Sequence, residues 1–523
     1  MRLLLAALLG FLPTALHGQH LTRDWPPEDR AVIGDFSVIT SVAATIERVY
    51  ATSRSMLVIW RPLERRWEGP YDPGAVGALD RVFRAAADPL DQSLWLARTD
   101  GWIHYQPEMR VWQGGVVPGV VRELVFDQDD PGGGPFLGSS SGWYRVPPGG
   151  FAAMPSPPPR RPMRAPSIED ALATNPALQA NAALILNDQR GRGGAAYTSA
   201  APSKDGIGWY IGTAGNGLMF LPPGAALPTR MPFGLIGDKV GALYAAPGGV
   251  WVATDRLQYA EPALTFVAED LSRFDVFRGS AMFGLSYQQV RRIAALDRDL
   301  WLATDQGAIR VQPNAERVER VDVGRGLPDS RVYALLARRG KLFAGTSRGV
   351  ARINDSLRSV PVAPGFNGTV LSLEQTGDTL WVGSSDGVLL SPPETAVAGR
   401  TPGLSESAAF HVPIVAMSRL GDTLVALTTE QFLWRTPGTD TWNLGQPLSA
   451  MLGRMVALTP YRDGFFVAGE NGIAFATLQS APQRPLLAAE QPGRIRDIAS
   501  DDTYLWVGTE HGVVRWRIGA ILP

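Results

Sequence analysis

The 523-residue sequence contains no cysteine. Disulfides, thiolate metal sites and a cysteine nucleophile are therefore excluded, and a stable fold must rest on buried apolar surface, which a chain of this length can supply. Lysine is almost as scarce. Of 49 basic residues only Lys204, Lys239 and Lys341 are lysine, and none follows the glycine pattern of a phosphate-binding loop. Acidic and basic residues balance to a formal charge of −1. No cationic excess is available to neutralise phosphates, so nucleic acid is not an expected partner. Among the five histidines there is no His-Glu-x-x-His pair, which removes the common zinc-hydrolase pattern.

Long apolar runs are also missing, except at the start. Arg2, the apolar run Leu3–Leu12 and the break Pro13–Gly18 have the order of a secretory signal peptide. The run is too short to anchor the chain across a bilayer, and a lipid anchor would need a cysteine at the cleavage site. Cleavage after Gly18 removes Arg2 and no acid, taking the formal charge from −1 to −2. The expected location is the periplasm or the exterior, with no membrane span in the mature chain.

What the sequence has in abundance is a repeat. Leu300–Val311 reads LWLATDQGAIRV and recurs as LWLARTDGWIHY from Leu94, LWVGSSDGVLLS from Leu380 and LWVGTEHGVVRW from Leu505. Close variants begin at Leu342, Phe465 and Trp209, and weaker ones at Val49, Phe136, Val250 and Leu424. Each copy is a β-rich strand with a small fourth residue, a turn commonly ending in glycine, and a second apolar strand. A further strand precedes each copy, such as Val332–Leu335, and a more polar one follows, such as Arg317–Asp322. Between units lie loops of the form Gly326-Leu327-Pro328-Asp329, echoed at Gly234-Leu235 and Gly284-Leu285. Four strands per unit, stacked radially, describe a propeller blade.

The LWVGT-xx-G hairpin preceded by GLP-x-x-x-V-x-x-L resembles the two-component regulator propeller repeat. In that family such repeats form the periplasmic sensor halves of hybrid histidine kinases, and they also occur in exported proteins without a kinase. The resemblance runs over nearly the whole mature chain. No kinase follows the last repeat before Pro523, so it implies a sensory or binding module rather than direct signalling. The expected fold is all-β: a β-propeller of about eleven four-stranded blades, in two rings rather than one, with a small helical insertion. The expected organisation is a signal peptide over 1–18, three blades over 19–146, a linker and insertion over 147–207, and eight blades over 208–523.

The insertion opens with the proline-rich stretch Pro155–Pro166, which favours extended backbone. Ser167 with Asp170 three residues on reads as a helix N-cap, and Ala171–Leu186, interrupted by Asn175-Pro176, as two short helices. This is expected to be a surface insertion between blades. At the ends of the chain, the last repeat supplies only three strands. Ile39–Ala44 aligns with the first strand of a blade, leaving His20–Trp25 spare, and it is expected to pair beside Val513–Ile518 and close the ring.

Several motifs look chemical and are explained by the repeat. G-x-S-x-G occurs around Ser140, Ser347 and Ser385. A nucleophile elbow needs a strand followed by a helix, whereas these serines share one position of a hairpin turn. Asp127, Asp129 and Asp130 faintly resemble a calcium loop but lack the further ligands, so a structural turn is expected. The tryptophans Trp95, Trp209, Trp251, Trp301, Trp381 and Trp506 fall in second strands and are expected to pack between blades rather than stack on a ligand.

The turns between second and third strands should open on one rim. They carry Asp100, Asp305, Asp386, Glu430, Glu470 and Glu510, with Arg98 and Arg348 interspersed; His511 falls in such a turn and His411 precedes a first strand. Asp305, Asp386, Glu470, Glu510, His511 and His411 form the candidate ligand site, although acidic residues also suit tight turns on backbone grounds. His104 lies in a strand and is expected to pack. No residue stands out as catalytic, and no cofactor or metal is indicated. The leading reading is a non-enzymatic binding or sensory propeller for a small molecule, glycan or envelope protein. The alternatives are a metal-dependent enzyme similar to streptogramin lyase, using His511, Glu510 and Glu470, and a scaffold subunit of an envelope complex. Mass spectrometry of protein from the native cell should find the mature N-terminus at Gln19 or His20; intact Met1 would refute export by this leader.

Overall fold

Each repeat copy becomes the second strand of an antiparallel sheet. The computed structural model describes residues 20–23, 25–26, 28–77, 79–186, 196–203, 208–255, 262–278, 287–315, 317–362, 366–391, 399–400, 412–438, 441–478 and 492–522. Among these residues there are eleven sheets, eight of them four-stranded, two five-stranded and one three-stranded. We number them 1 to 11 by their first strands, Ser41–Ala44, Val82–Ala87, Val121–Asp127, Tyr197–Pro202, Val240–Ala246, Val290–Leu296, Val332–Arg338, Val370–Thr376, Ala416–Leu420, Met455–Tyr461 and Ile495–Ser500. First strands touch their neighbours in a definite order. Sheet 5 meets 6, and so on through 11, which meets 5 again; sheet 4 meets 1, 1 meets 2, and 2 meets 3.

Two local devices repeat along the chain. At the hairpin turn, a threonine or serine hydroxyl donates to the carbonyl across the turn and accepts the N–H of the second turn residue. Thr304 Oγ1 lies 2.7 Å from Gly307 O and 3.1 Å from Gln306 N, and Thr346, Ser384 and Thr509 repeat the pattern. These hydroxyls are buried, so the bonds satisfy polar groups that would otherwise be orphaned. The glycine that follows has positive φ, +123° at Gly307 and +112° at Gly512, which a side chain would strain. The second device is a bulge near the start of most first strands, for example between Val290 and Arg292 and between Val332 and Ala334. The three G-x-S-x-G serines lie in two-residue turns between strands, at Ser139–Gly142, Thr346–Gly349 and Ser384–Gly387, so none stands on a strand-to-helix elbow.

The tryptophans pack as expected. Trp95, Trp209, Trp301, Trp381 and Trp506 are 5% exposed or less, while Trp251 is partly buried against Phe266 and Phe277. In the insertion the helices span Ile168–Thr174, Pro176–Ala180 and Ala182–Leu186. Ser167 and Asp170 form the capping box, with Asp170 also held by Arg164. Ala171, Leu178 and Ile185 bury themselves with Trp209, Ile211 and Leu221 of sheet 4, so the helices cover one face of that sheet. Pro162–Arg164 adds a fifth strand beside Val121–Asp127. The Asp127 carboxylate accepts backbone N–H groups of Asp129, Arg160 and Arg161 at 2.9–3.2 Å, which fixes the linker and explains the acidic turn without a cation.

The closing strand is corrected by ten residues. Arg30–Ile33, not His20–Trp25, pairs with Gly512–Arg517, in the register Val32↔Val514 and Ile33↔Val513. His20–Arg23 instead adds to sheet 2 along Val111–Val116. Burial decides between them. A strand sealing the last sheet must bury both faces, and Ala31, Val32 and Ile33 are at most 3% exposed, which the polar sequence His20-Leu21-Thr22-Arg23 could not match. Residues 1–18, expected to be a leader, lie outside the described residues. Ile33→Ala should cost about 2–5 kcal/mol in a denaturant titration, and deleting residues 19–24 distinctly less; the reverse order would contradict this assignment.

Candidate functional site

The candidate turns lie between second and third strands, and several of their polar groups hold the scaffold. Asp305 accepts the N–H groups of Gln288 and Gln289 at 2.9 and 3.0 Å, locking the loop that leads into its own sheet. Glu470 donates its N–H to Arg454 O, accepts that of Ile495 from the next sheet, and has its carboxylate 4.0 Å from the Arg494 guanidinium. Glu510 bonds Arg494 O through its N–H. Asp100 is paired with Arg81 and Arg98. Asp386 and His511 are exposed at their turns, with their N–H groups held by Ser384 and Thr509. His411 lies outside the described residues. Among the described residues no three His, Asp or Glu side chains converge as metal ligands.

Around sheet 5, the residue that follows its second strand and the first strands of its neighbours carry buried charge that the sequence did not reveal. Asp255, 1% exposed, accepts the N–H of Val290 at 3.0 Å and faces Arg496 at 3.0 Å and Lys239 at 3.6 Å. Asp497 accepts the N–H of Leu243 and faces Arg292, both at 2.9 Å. Burial pushes the Asp497 carboxyl up, and Arg292 opposes that shift. A signal existed in the Val-Arg-Arg and Ile-Arg-Asp starts of two first strands. Only the fold shows that these strands flank sheet 5.

A second feature lies elsewhere. A cleft of about 1070 Å³ opens between sheets 1, 4 and 5. Trp60 and Trp67, directly paired across strands Leu57–Arg61 and Arg66–Tyr71, form one wall with ring centroids 5.1 Å apart. Tyr210 and Phe220, a cross-strand pair of sheet 4 at 4.8 Å, form another, and Phe274 of sheet 5 completes it. Arg65, Arg230 and the ion pair Arg273–Asp275, at 3.1 Å, supply polar edges. The exposed apolar residues Ile46 and Leu63 stand in the same lining. Aromatic faces with a few charged groups are the ordinary make-up of a ligand pocket. The walls opposite the Trp60–Trp67 hairpin come from distant segments.

No protein-family profile and no curated protein matches the sequence. Among solved structures the chain is similar to the extracellular domain of a putative hybrid two-component system from B. thetaiotaomicron, at 12% identity over 91% of this chain and 70% of that one, TM-score 0.43. It is similar to PorZ, a surface component of the type-IX secretion system of Porphyromonas gingivalis, at 12% identity over 95% and 73%, TM-score 0.45. It is also similar to virginiamycin B lyase from Staphylococcus aureus, at 13% identity over 53% and 94%, TM-score 0.43. Among the described residues no helix is long and apolar enough to cross a membrane.

His104 is packed, as its strand position implied. It is 5% exposed, stacked 3.8 Å from Trp95 at 8° between planes, with Nε2 2.7 Å from Ser93 Oγ. Burial pushes its pKa down to about 4. Between that value and the unfolded value the unfolded chain binds the proton and the folded chain does not, so stability falls as pH falls from about 6.5 to about 4. This group alone contributes a loss on the order of 3 kcal/mol. Denaturant titrations at pH 7 and pH 4.5 should show a smaller acid loss in His104→Gln than in the wild type; an equal loss would place the sensitivity elsewhere.

Proposed function

We propose that this chain is an exported, non-enzymatic binding propeller of the sensory kind, and that it takes its ligand in the cleft between sheets 1, 4 and 5. In this reading sheets 5 to 11 are seven blades of a ring closed by Arg30–Ile33, and sheets 4, 1, 2 and 3 are an arc of four blades beside it. The repeat resemblance supports the sensory class. The observation that carries the site is the aromatic cleft, because its walls are contributed by both groups of blades. A ligand held there bridges the two groups, and differential contact with them is what a sensor needs to bias their relative position.

The ligand that fits is a small molecule or glycan unit with flat apolar faces and hydrogen-bonding edges. Faces of this kind stack on Trp60, Trp67 and Phe220, while Arg230, Arg273 and Asp275 meet the polar edge. The turn residues Asp305, Glu470 and Glu510 then serve the scaffold, with the exposed Asp386 and His511 available to a partner. A panel of oligosaccharides and metabolites screened by intrinsic tryptophan fluorescence should yield a binder, and Trp60→Leu should weaken it roughly tenfold, the order of one aromatic stacking contact. Unchanged affinity in Trp60→Leu, together with loss in Glu470→Gln or His511→Ala, would move the site to the rim.

A further inference from the structure

The three walls of the aromatic cleft repeat one pairing. Trp60 and Trp67 of sheet 1, Tyr210 and Phe220 of sheet 4 and Phe274 of sheet 5 line it with rings, and each wall adds one arginine, Arg65, Arg230 or Arg273. These arginines come from corresponding places in their sheets. Arg65 and Arg273 immediately precede the fourth strands Arg66–Tyr71 and Phe274–Arg278, and Arg230 is the second residue of the fourth strand Thr229–Met231. Repetition of the sheet therefore brings an aromatic surface and a guanidinium together three times within one cavity of about 1070 Å³.

Charge in the cleft is one-sided. Among the described residues Asp275 is the one carboxylate of the lining, and Arg273 holds it at 3.1 Å, which leaves an excess of two guanidinium groups. The acids next to the lining do not redress this. Glu64 pairs with Arg66, and Asp270 accepts the N–H and the hydroxyl of Ser272 at 3.0 and 2.6 Å. Arg65 and Arg273 are exposed, as are Thr229 and Ser272, which add hydroxyls to the same lining. A guanidinium takes a carboxylate through two parallel N–H donors, and an aromatic face takes the apolar face of a second ring.

We infer that the cleft takes a linear acidic oligosaccharide carrying one carboxylate on each ring. This rests on the reading of the cleft as the ligand site and names the class of ligand. Each ring lays an apolar C–H face on the aromatic residues of one wall and gives its carboxylate to the arginine of that wall, while ring hydroxyls meet Thr229 and Ser272. A single acidic ring satisfies one wall and leaves the other guanidinium groups unanswered. A neutral chain stacks on all three walls and answers none of them.

The test uses the full mature chain and calorimetry, with trigalacturonate and trimannuronate as acidic probes and their methyl esters and single units as controls. At least one acidic trimer should bind. Its methyl ester, which keeps the skeleton and loses the charges, and its single unit should each bind at least roughly tenfold more weakly. Raising the salt about tenfold should weaken the acid and leave the ester unchanged. Arg65→Gln and Arg273→Gln should each weaken the acid about threefold to fivefold, the order of a partly exposed ion pair, and leave the ester unchanged, while Trp60→Leu weakens both. If Arg273→Gln does not fold, Arg65→Glu, at an exposed turn, should weaken the acid at least roughly tenfold in a folded protein. No binding of either trimer, or full affinity for it in both arginine variants, would overturn the proposal. Acid and ester bound equally, and both weakened in Trp60→Leu, would also overturn it while leaving the cleft as the ligand site. Acid bound with full affinity by Trp60→Leu would overturn it by placing the oligosaccharide outside the cleft.

Discussion

The backbone ladder between Arg30–Ile33 and Gly512–Arg517 joins the two ends of the chain, and the rest of the architecture leans on it. An unsealed last sheet would expose a row of N–H and C=O groups to solvent and to other chains. The seal also carries packing on both faces. Val32 belongs to the core shared by sheets 10 and 11, while Ala31 and Ile33 belong to the core shared by sheets 1, 4, 5 and 11. Alternation along one short strand therefore ties the proposed ring to the arc. Arg30 reaches Asp72 beyond sheet 1 at 3.1 Å, and Arg517 pairs with Asp29, so charged groups close the same junction from outside. The aromatic cleft lies over this shared core, since Tyr210 and Phe274 line the one and belong to the other.

Repetition of two small devices explains how so divergent a set of repeats keeps one geometry. The hydroxyl of Thr304, Thr346, Ser384 or Thr509 fixes the hairpin from inside, leaving the next two positions free to vary. That freedom is why the rim shows Asp-Gln, Ser-Arg, Ser-Asp and Glu-His in equivalent turns, and why a serine-hydrolase signature arises there without a nucleophile. The bulge acts in the opposite sense. It shifts the register near the start of most first strands, so that one residue there is left out of the ladder.

Much of this was legible in the residues. The strand–turn–strand repeat, the burial of the tryptophans, the packed His104 and the Ser167–Asp170 cap follow from periodicity, side-chain size and capping chemistry. The closing strand was misplaced because the spare segment was chosen by alignment, and the apolar run Ala31-Val32-Ile33, which burial favours, was left out of account. The rim acids were located but their roles were not, because a carboxylate such as that of Asp305 looks the same in sequence whether it binds a ligand or two backbone N–H groups. The cleft and the Asp255 and Asp497 networks were invisible for a different reason. They join segments more than 200 residues apart, as Arg496 with Asp255 and Arg292 with Asp497, and only the order of sheets brings these together.

The central claim is that residues 30–33 are an integral strand of the last blade, and native-state hydrogen exchange measures it directly. The account predicts that the protected amides of residues 31–33 exchange with the same free energy of opening as those of Trp506, Val507 and Val514, through global unfolding. Exchange of the N-terminal segment at near the rate of a free peptide, while the Val507 and Val514 amides stay protected, would show that the blade stands without it and would contradict the account.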